Sequence, residues 1–174
     1  MRSARREREE RFGVILQETS SFLRQVAFLL VGNWPDAEDL LQSAYLKAVR
    51  SMDRVCEVDV PALYLKRILV RTHIDQYRRR RLVEISTDTV PEVSTPENPN
   101  DEKWAVRAAL ARVPDSQRQI LVLRFFADMS VADTAAALGC SEGNVKSQTS
   151  RGLATLAGHL GLSSIDLAGA PRES

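Results

Sequence analysis

Met129-Ser-Val-Ala-Asp-Thr-Ala-Ala-Ala-Leu-Gly-Cys-Ser-Glu-Gly-Asn-Val-Lys-Ser-Gln-Thr-Ser-Arg-Gly-Leu153 decides how the rest of the chain is read. Ser130 is placed to cap a short helix, with Asp133 three residues on as its capping-box partner. Ala135, Ala136 and Leu138 give that helix a side of mostly small residues, so a second helix can come close. Gly139 ends it where a left-handed backbone costs nothing without a side chain. Ser141 then caps a second helix, with Val145, Leu153 and Leu156 able to face inward. Its outward candidates include Asn144, Lys146, Ser147, Gln148, Thr149 and Arg151. Helix, tight glycine turn and helix with a polar face are the sequence form of a helix-turn-helix.

The plain alternative is a helical hairpin whose polar face meets only water. Glu142 is the one acidic residue between Ser141 and Gly161, and it sits in the first turn, where the helix dipole favours a negative charge. That scarcity of acid favours DNA. Yet Lys146 and Arg151 are the only fixed positive charges of that helix, so it needs help from elsewhere to hold a duplex.

A chain of 174 residues fits one domain or two small ones. Its formal charge of +1, from 24 basic and 23 acidic residues, says nothing about nucleic acid; the distribution says more. Residues 1–84 are net +4, residues 85–103 net −4 and the remainder net +1, a pattern of separate units. Cys56 and Cys140 have no metal-ligand spacing and suit a reducing cytoplasm. No run of eighteen apolar residues and no apolar segment after the Arg-rich start are found, so no membrane insertion is expected.

In chain order, Met1–Arg11 is charged with mixed signs: a frayed tail, or the solvated start of the first helix. Phe12, Ile15, Leu16, Thr19, Leu23, Val26, Ala27 and Leu30 recur at helical spacing. Gly32-Asn33-Trp34-Pro35 breaks that helix, and Asp36 is read as the cap of the next, with Asp39 at its third position. Leu40, Leu41, Ala44, Tyr45, Ala48 and Val49 supply its buried side. Arg54–Val60 is short and polar, not helical throughout. Pro61 opens a long helix through Leu65, Ile68, Leu69, Thr72 and Ile74 to Arg78-Arg79-Arg80-Arg81. Residues 82–97 hold prolines, Ser/Thr and no period, an extended linker. Helix resumes near Asp101 with Trp104, Ala108 and Leu110 inward. Another starts at about Asp115, with Ile120, Leu121, Leu123 and Phe125 as its apolar residues. The expected fold is all-α: a helical domain over 1–84, an acidic flexible linker over 85–100, a four-helix domain over 101–160 containing the helix-turn-helix, and a tail over 161–174.

No enzyme site emerges. His73 and His159 are isolated, and neither a phosphate loop nor a Gly-x-Ser-x-Gly elbow is present, so no catalytic residue, cofactor or metal is expected. The second informative stretch is Leu63–Arg81. From Lys66 to Arg81 it holds seven basic residues and one acid, Asp75, with Tyr64, His73 and Tyr77 interleaved. Cations for phosphates and rings for exposed bases are what a binder of melted duplex needs. A solvated helix end is the bland reading, but four consecutive arginines exceed what the dipole asks for. Tyr64 and Tyr77 are each open between core and base contact.

Together the two stretches resemble the extracytoplasmic-function (group 4) sigma factors of bacterial RNA polymerase, closest to the compact actinobacterial SigE-like type. The resemblance is carried by Asp36-Ala-Glu-Asp-Leu-Leu-Gln42, Ala62–Arg81, Val113–Ser130 and Gly139–Arg151, in the family's order and covering roughly residues 12–157. It implies a promoter-specificity subunit that binds core RNA polymerase, recognises −35 and −10 elements of promoter DNA and assists strand opening. Asp36, Asp39, Leu40 and Gln42 would lie at the polymerase. Arg54–Val60 and the start of the next helix would capture an unstacked base. Tyr64, Lys66, Arg67, Arg71, His73, Tyr77, Arg78, Arg79, Arg80 and Arg81 would meet −10 DNA, the cations mainly at phosphates. Ser141, Asn144, Lys146, Ser147, Thr149, Ser150 and Arg151 would meet −35 DNA in the major groove. Relatives commonly carry Asn at the position of Arg71 and Trp at that of Gln76, which puts −10 recognition by stacking at position 76 in question. Regulation would come from an anti-sigma protein, expression level or the short tail. The rival reading is a stand-alone helix-turn-helix regulator, which leaves the arginine-rich helix and acidic linker without a role.

Overall fold

The computed structural model describes residues 2–83 and 102–161, with side chains over 5–80 and 105–161. The linker expected over 85–100, the tail beyond Gly161 and the side chains of Arg81 and Trp104 lie outside the described residues. The described chain is all-α, and its contacts divide it into a unit of Met1–Leu30 with Trp34–Ile85 and a unit of Val31–Asn33 with Ser86–Ser174.

The first unit contains α1 (Arg2–Val31), α2 (Trp34–Arg50), α3 (Met52–Glu57) and α4 (Pro61–Val83). The charged N-terminal stretch is helix rather than tail. Arg5 pairs with Glu9 at 2.9 Å and Arg6 with Glu10 at 3.1 Å, the i,i+4 spacing that supports an exposed helix. Arg8 reaches Asp53 of α3 at 3.1 Å, and the Cys56 thiol lies 3.8 Å from the Arg8 carbonyl. Phe12, Ile15, Leu23, Val26, Ala27 and Leu30 are buried as their spacing requires. One window within Arg5–Val31 is long and apolar enough to cross a membrane by length and composition alone, and 44% of it is buried inside the protein.

Helix α2 begins at Trp34, three residues before the start that an Asp36 cap implies. Asp36 therefore lies within the first turn and is not the cap, a position its charge still suits. The Arg24 guanidinium sits 4.5 Å above the Trp34 ring and donates to Glu38 at 2.6 Å, while Phe28 packs on Trp34 at 4.5 Å between centroids. These contacts lock the α1–α2 corner. Ala37, Leu40, Leu41, Ala44 and Ala48 form the buried side of α2, whereas Val49, expected with them, is exposed. The segment Arg54–Val60 is helical to Glu57 and extended at Val58, which lets Pro61 start α4 afresh.

The second unit contains α5 (Glu102–Ala111), α6 (Asp115–Leu121), a π-helical turn (Val122–Phe126), α7 (Val131–Leu138) and α8 (Glu142–Leu160). Leu110, Val113, Ile120, Leu121, Val122 and Leu123 build its core. Phe125 does not join them; it is 53% exposed. The π turn accounts for this, because its wider winding rotates later side chains out of the 3.6-residue register. Ala136 also faces solvent, and α7 turns Thr134, Ala135 and Leu138 inward instead. Arg118 donates to the Ala111 and Val113 carbonyls and pairs with Asp115, closing the α5–α6 corner; burial lowers its pKa, and Asp115 opposes that shift.

Candidate nucleic-acid interface

The helix-turn-helix punctuation is realised atom by atom. Ser130 is extended, and its Oγ accepts from the Asp133 N–H at 3.0 Å. Its hydroxyl also donates to the Asp133 carboxylate at 2.7 Å, so the box closes through side chains. Gly139 is left-handed at φ 65°, and the chain turns directly into Ser141, whose Oγ accepts from the Asn144 N–H at 3.1 Å. Val145 is buried and anchors α8 on its own unit. Gly152 brings α8 close to α6: a Cβ there would lie 3.1 Å from Leu121 Cδ1. Thr155 adds a 3.3 Å hydrogen bond to Gln117. The glycine's role could not be read without knowing which helix it faces.

Those anchors leave Asn144, Lys146, Ser147, Ser150 and Arg151 exposed on α8. Ser141 is exposed with its oxygen committed to the cap. Thr149 is half-buried, and its hydroxyl donates to the Val145 carbonyl at 2.7 Å, which leaves the methyl and the oxygen's acceptor lone pairs for a ligand. Glu142 and Gly143, absent from the sequence-derived set, are also exposed at the helix start, the part of a recognition helix that meets base edges.

On α4, Arg67, Arg71 and Arg78 recur at four and seven residues, share one face and are exposed; Arg79 and Arg80 extend it. Tyr64, Tyr77 and Lys66 are half-buried. Asp75, the one acid of the stretch, is joined to Lys47 of α2 at 2.9 Å. His73 is a correction: at 6% exposure it belongs to the core between helices, since the face that buries Leu69, Thr72 and Ile74 also takes position 73. Arg81 keeps its place in the sequence-derived set, with its side chain outside the described residues. Gln76 is half-buried, and its Nε2 donates to Ser43 of α2 at 3.3 Å. That position therefore meets a neighbouring helix, and a missing ring there bears on packing.

At the α3–α4 junction, Arg54, Glu57, Val58, Asp59, Val60, Leu63, Tyr64 and Arg67 line a cavity of ≈ 390 Å³. Val60 and Leu63 stay exposed at its rim despite being apolar. Separate residues form the outer face of α2. Asp39 and Gln42 are exposed there and Asp36 is half-buried, but Leu40 is 1% exposed and is a core residue, a second correction to the site read from sequence. Its place on that face is taken by Leu46 and Val49, 68% and 55% exposed, which continue the Asp39–Gln42 spacing along the helix. Burial of Tyr45 beside Glu38 raises its phenol pKa, consistent with a neutral, inward-leaning ring next to that face.

One helical unit carries an arginine face beside the α3–α4 cavity and the other a capped, exposed α8, and each unit matches a region of known proteins. Residues 15–83 match Sigma-70 region 2, and residues 103–156 match Sigma-70, region 4. RNA polymerase sigma-E factor of Streptomyces avermitilis is 35% identical over 148 residues, covering 83% of this chain and 82% of the relative. The extracytoplasmic-function sigma factor SigM of Mycobacterium tuberculosis is 34% identical over 140 residues, covering 80% and 71%. Sigma factor RpoE of Bartonella quintana, solved with the anti-sigma factor NepR, superposes with a TM-score of 0.55 at 26% identity over 87% of this chain and 98% of that one. The chain belongs to the sigma-70 family. Within it, it is an extracytoplasmic-function sigma factor related to the actinobacterial sigma-E factors, and so a transcription factor rather than an enzyme.

Proposed function

We propose that this chain is a dissociable promoter-specificity subunit that acts in the cytoplasm on core RNA polymerase. The observation that carries the reading is the coexistence, in one chain, of the unpaired cavity with its arginine face on α4 and the capped, exposed α8. In this reading Arg67, Arg71 and Arg78–Arg81 hold the backbone of the −10 region, with Lys66 beside them. The cavity beside Tyr64 takes one unstacked base of the non-template strand. Helix α8 enters the −35 major groove through Asn144, Lys146, Ser147, Thr149, Ser150 and Arg151, with Ser141 keeping its first turn in place. Asp36, Asp39 and Gln42, extended by Leu46 and Val49, dock on the polymerase.

The physical logic favours assembly on the enzyme. Each unit offers few fixed cations, and holding two separated DNA contacts at once costs ordering free energy in the isolated chain. Polymerase fixes the spacing and makes the second contact effectively intramolecular. The chain contributes recognition and strand opening, and the polymerase performs the phosphodiester chemistry. An anti-sigma protein that covers one of these faces is the matching means of control; RpoE of Bartonella quintana was solved in complex with the anti-sigma factor NepR. The test is transcription in vitro from a pool of randomised promoters by purified core polymerase, with and without the chain. Protein-dependent transcripts that share two spaced elements are the expected result; a transcript pool indifferent to the chain contradicts the reading.

A further inference from the structure

Asp75 is the one acid between Lys66 and Arg81, and it falls on the arginine face of α4. Helical spacing puts it there: position 75 is four residues after Arg71, three before Arg78 and four before Arg79. Opposite charges at these spacings pair along a helix, and an acid N-terminal to its base, as Asp75 is to Arg79, is the better order. On a helix left to itself the Asp75 carboxylate would take one of these guanidinium groups, and the face would lose a phosphate contact. The fold does something else with it. Lys47 Nζ, reaching across from α2, donates to Asp75 Oδ2 at 2.9 Å. Next to this pair Gln76 donates to Ser43 at 3.3 Å, so the same stretches of α2 and α4 are held in register. Arg71 and Arg79 stay exposed, and among the described residues neither is in an ion pair.

Stability does not account for the pair. Its side chains are 41% exposed at Lys47 and 50% at Asp75, and an ion pair in that setting contributes little to folding. Helices α2 and α4 pack on each other without it, each burying apolar side chains: Leu40, Leu41 and Ala44 on one, Leu65 and Leu69 on the other. What the pair changes is the charge available on α4. A carboxylate satisfied by a cation from another helix takes none of the arginines, and its own repulsion of a phosphate is offset. We propose that Lys47 is a positioning residue for promoter DNA: by holding Asp75 it keeps the Arg71 and Arg79 guanidinium groups open to phosphates, without touching DNA itself. This inference rests on the reading that the arginine face holds the −10 backbone, and it adds to that face a residue of α2.

The experiment measures the affinity of holoenzyme, formed from core polymerase and the full chain, for one promoter across a salt series. The chains compared are wild type, Lys47→Met, Lys47→Arg, Asp75→Asn and the double variant Lys47→Met, Asp75→Asn. Lys47→Met should weaken the complex roughly three- to tenfold at low salt and flatten the plot of log affinity against log salt by about 0.7–0.9, the slope of one phosphate contact. Lys47→Arg keeps a cation against Asp75 and should stay within about twofold of wild type. Asp75→Asn alone should bind at least as well as wild type. The double variant should recover both affinity and slope, because no anion is then left to take an arginine. A merely structural pair predicts the opposite, since the double variant lacks it too. A double variant as weak as Lys47→Met overturns the proposal and makes Lys47 a direct contact; an unchanged slope in Lys47→Met overturns it as well. Arg71→Ala with Arg79→Ala, run beside these, tests the underlying reading. If that variant keeps the wild-type slope, the arginine face does not hold DNA and the reading itself falls. A flattened slope there, with no recovery in the double variant, removes the role of Lys47 alone.

Discussion

Replacing Leu46 and Val49 together by alanine probes the face of α2 proposed to dock on polymerase. The magnitude follows from exposure. Full burial of a Leu or Val side chain is worth about 1.5–3 kcal/mol. With 68% of Leu46 and 55% of Val49 still in water, docking has roughly 1–2 kcal/mol per residue left to gain. Alanine removes most of that surface, and imperfect packing at an interface discounts it further. Affinity for core polymerase should therefore fall roughly ten- to a hundredfold. Folding should not follow, because neither side chain contributes much to the core of its own unit; the unfolding midpoint should stay within the usual surface-substitution range, about ±0.5 kcal/mol. The assay is competition of unlabelled variant against fluorescent wild-type chain for core polymerase, with circular dichroism melts as the control. Unchanged affinity with unchanged stability would refute the docking face; a large loss of stability would show that the exposure reasoning is wrong.

Further outcomes follow from the same structure. Leu40→Ala should destabilise the first unit by about 2–5 kcal/mol through a core cavity, measurable in urea titration; a stable Leu40→Ala chain with lost polymerase binding would restore Leu40 to the interface. Arg79→Ala with Arg80→Ala should weaken promoter complexes of every sequence and flatten the salt dependence, by a slope of about 0.7–0.9 per lost phosphate contact. An unchanged slope removes these two residues from the backbone contacts. Lys146→Ala or Arg151→Ala should relax one −35 position by about 1–3 kcal/mol in a competition series over −35 variants, whereas equal loss on all variants would mark a phosphate contact. Ser141→Ala should cost about 1 kcal/mol of stability in the second unit by orphaning the Asn144 N–H, and a null effect in denaturation would mean the cap contributes nothing.

Much of this architecture was legible in the chain because its punctuation is local. Ser130, Gly139 and Ser141 act within three residues of themselves, and Pro61 and Gly32-Asn33 likewise mark boundaries whatever surrounds them. The core face of α1 followed from spacing alone. What escaped depends on tertiary placement. His73 and Leu40 carry residue types and positions that fit a binding motif, yet which arc of a helix is covered is decided by its neighbours. The outward turn of Phe125 is not legible in the chain, because a π turn shifts register without any signature in residue type. Val49 shows the converse error: an apolar residue at core spacing that the bundle leaves in water. The α3–α4 cavity draws on Arg54–Val60 and on Leu63, Tyr64 and Arg67. Its segment was visible, but its balanced, unpaired charges were not, since pairing is a property of the folded surface.

The central claim, that one chain opens −10 DNA and reads −35 DNA only as a polymerase subunit, is tested most directly by footprinting a promoter with core polymerase alone, the chain alone and both. Permanganate reports unpaired thymines at the −10 element, and hydroxyl radicals report the covered −35 backbone in the same complexes. The account predicts both signals at a fixed separation only when polymerase and chain are present together. Protection of a palindromic duplex site by the chain alone, with no permanganate reactivity in any mixture, would contradict it and establish a stand-alone DNA-binding regulator.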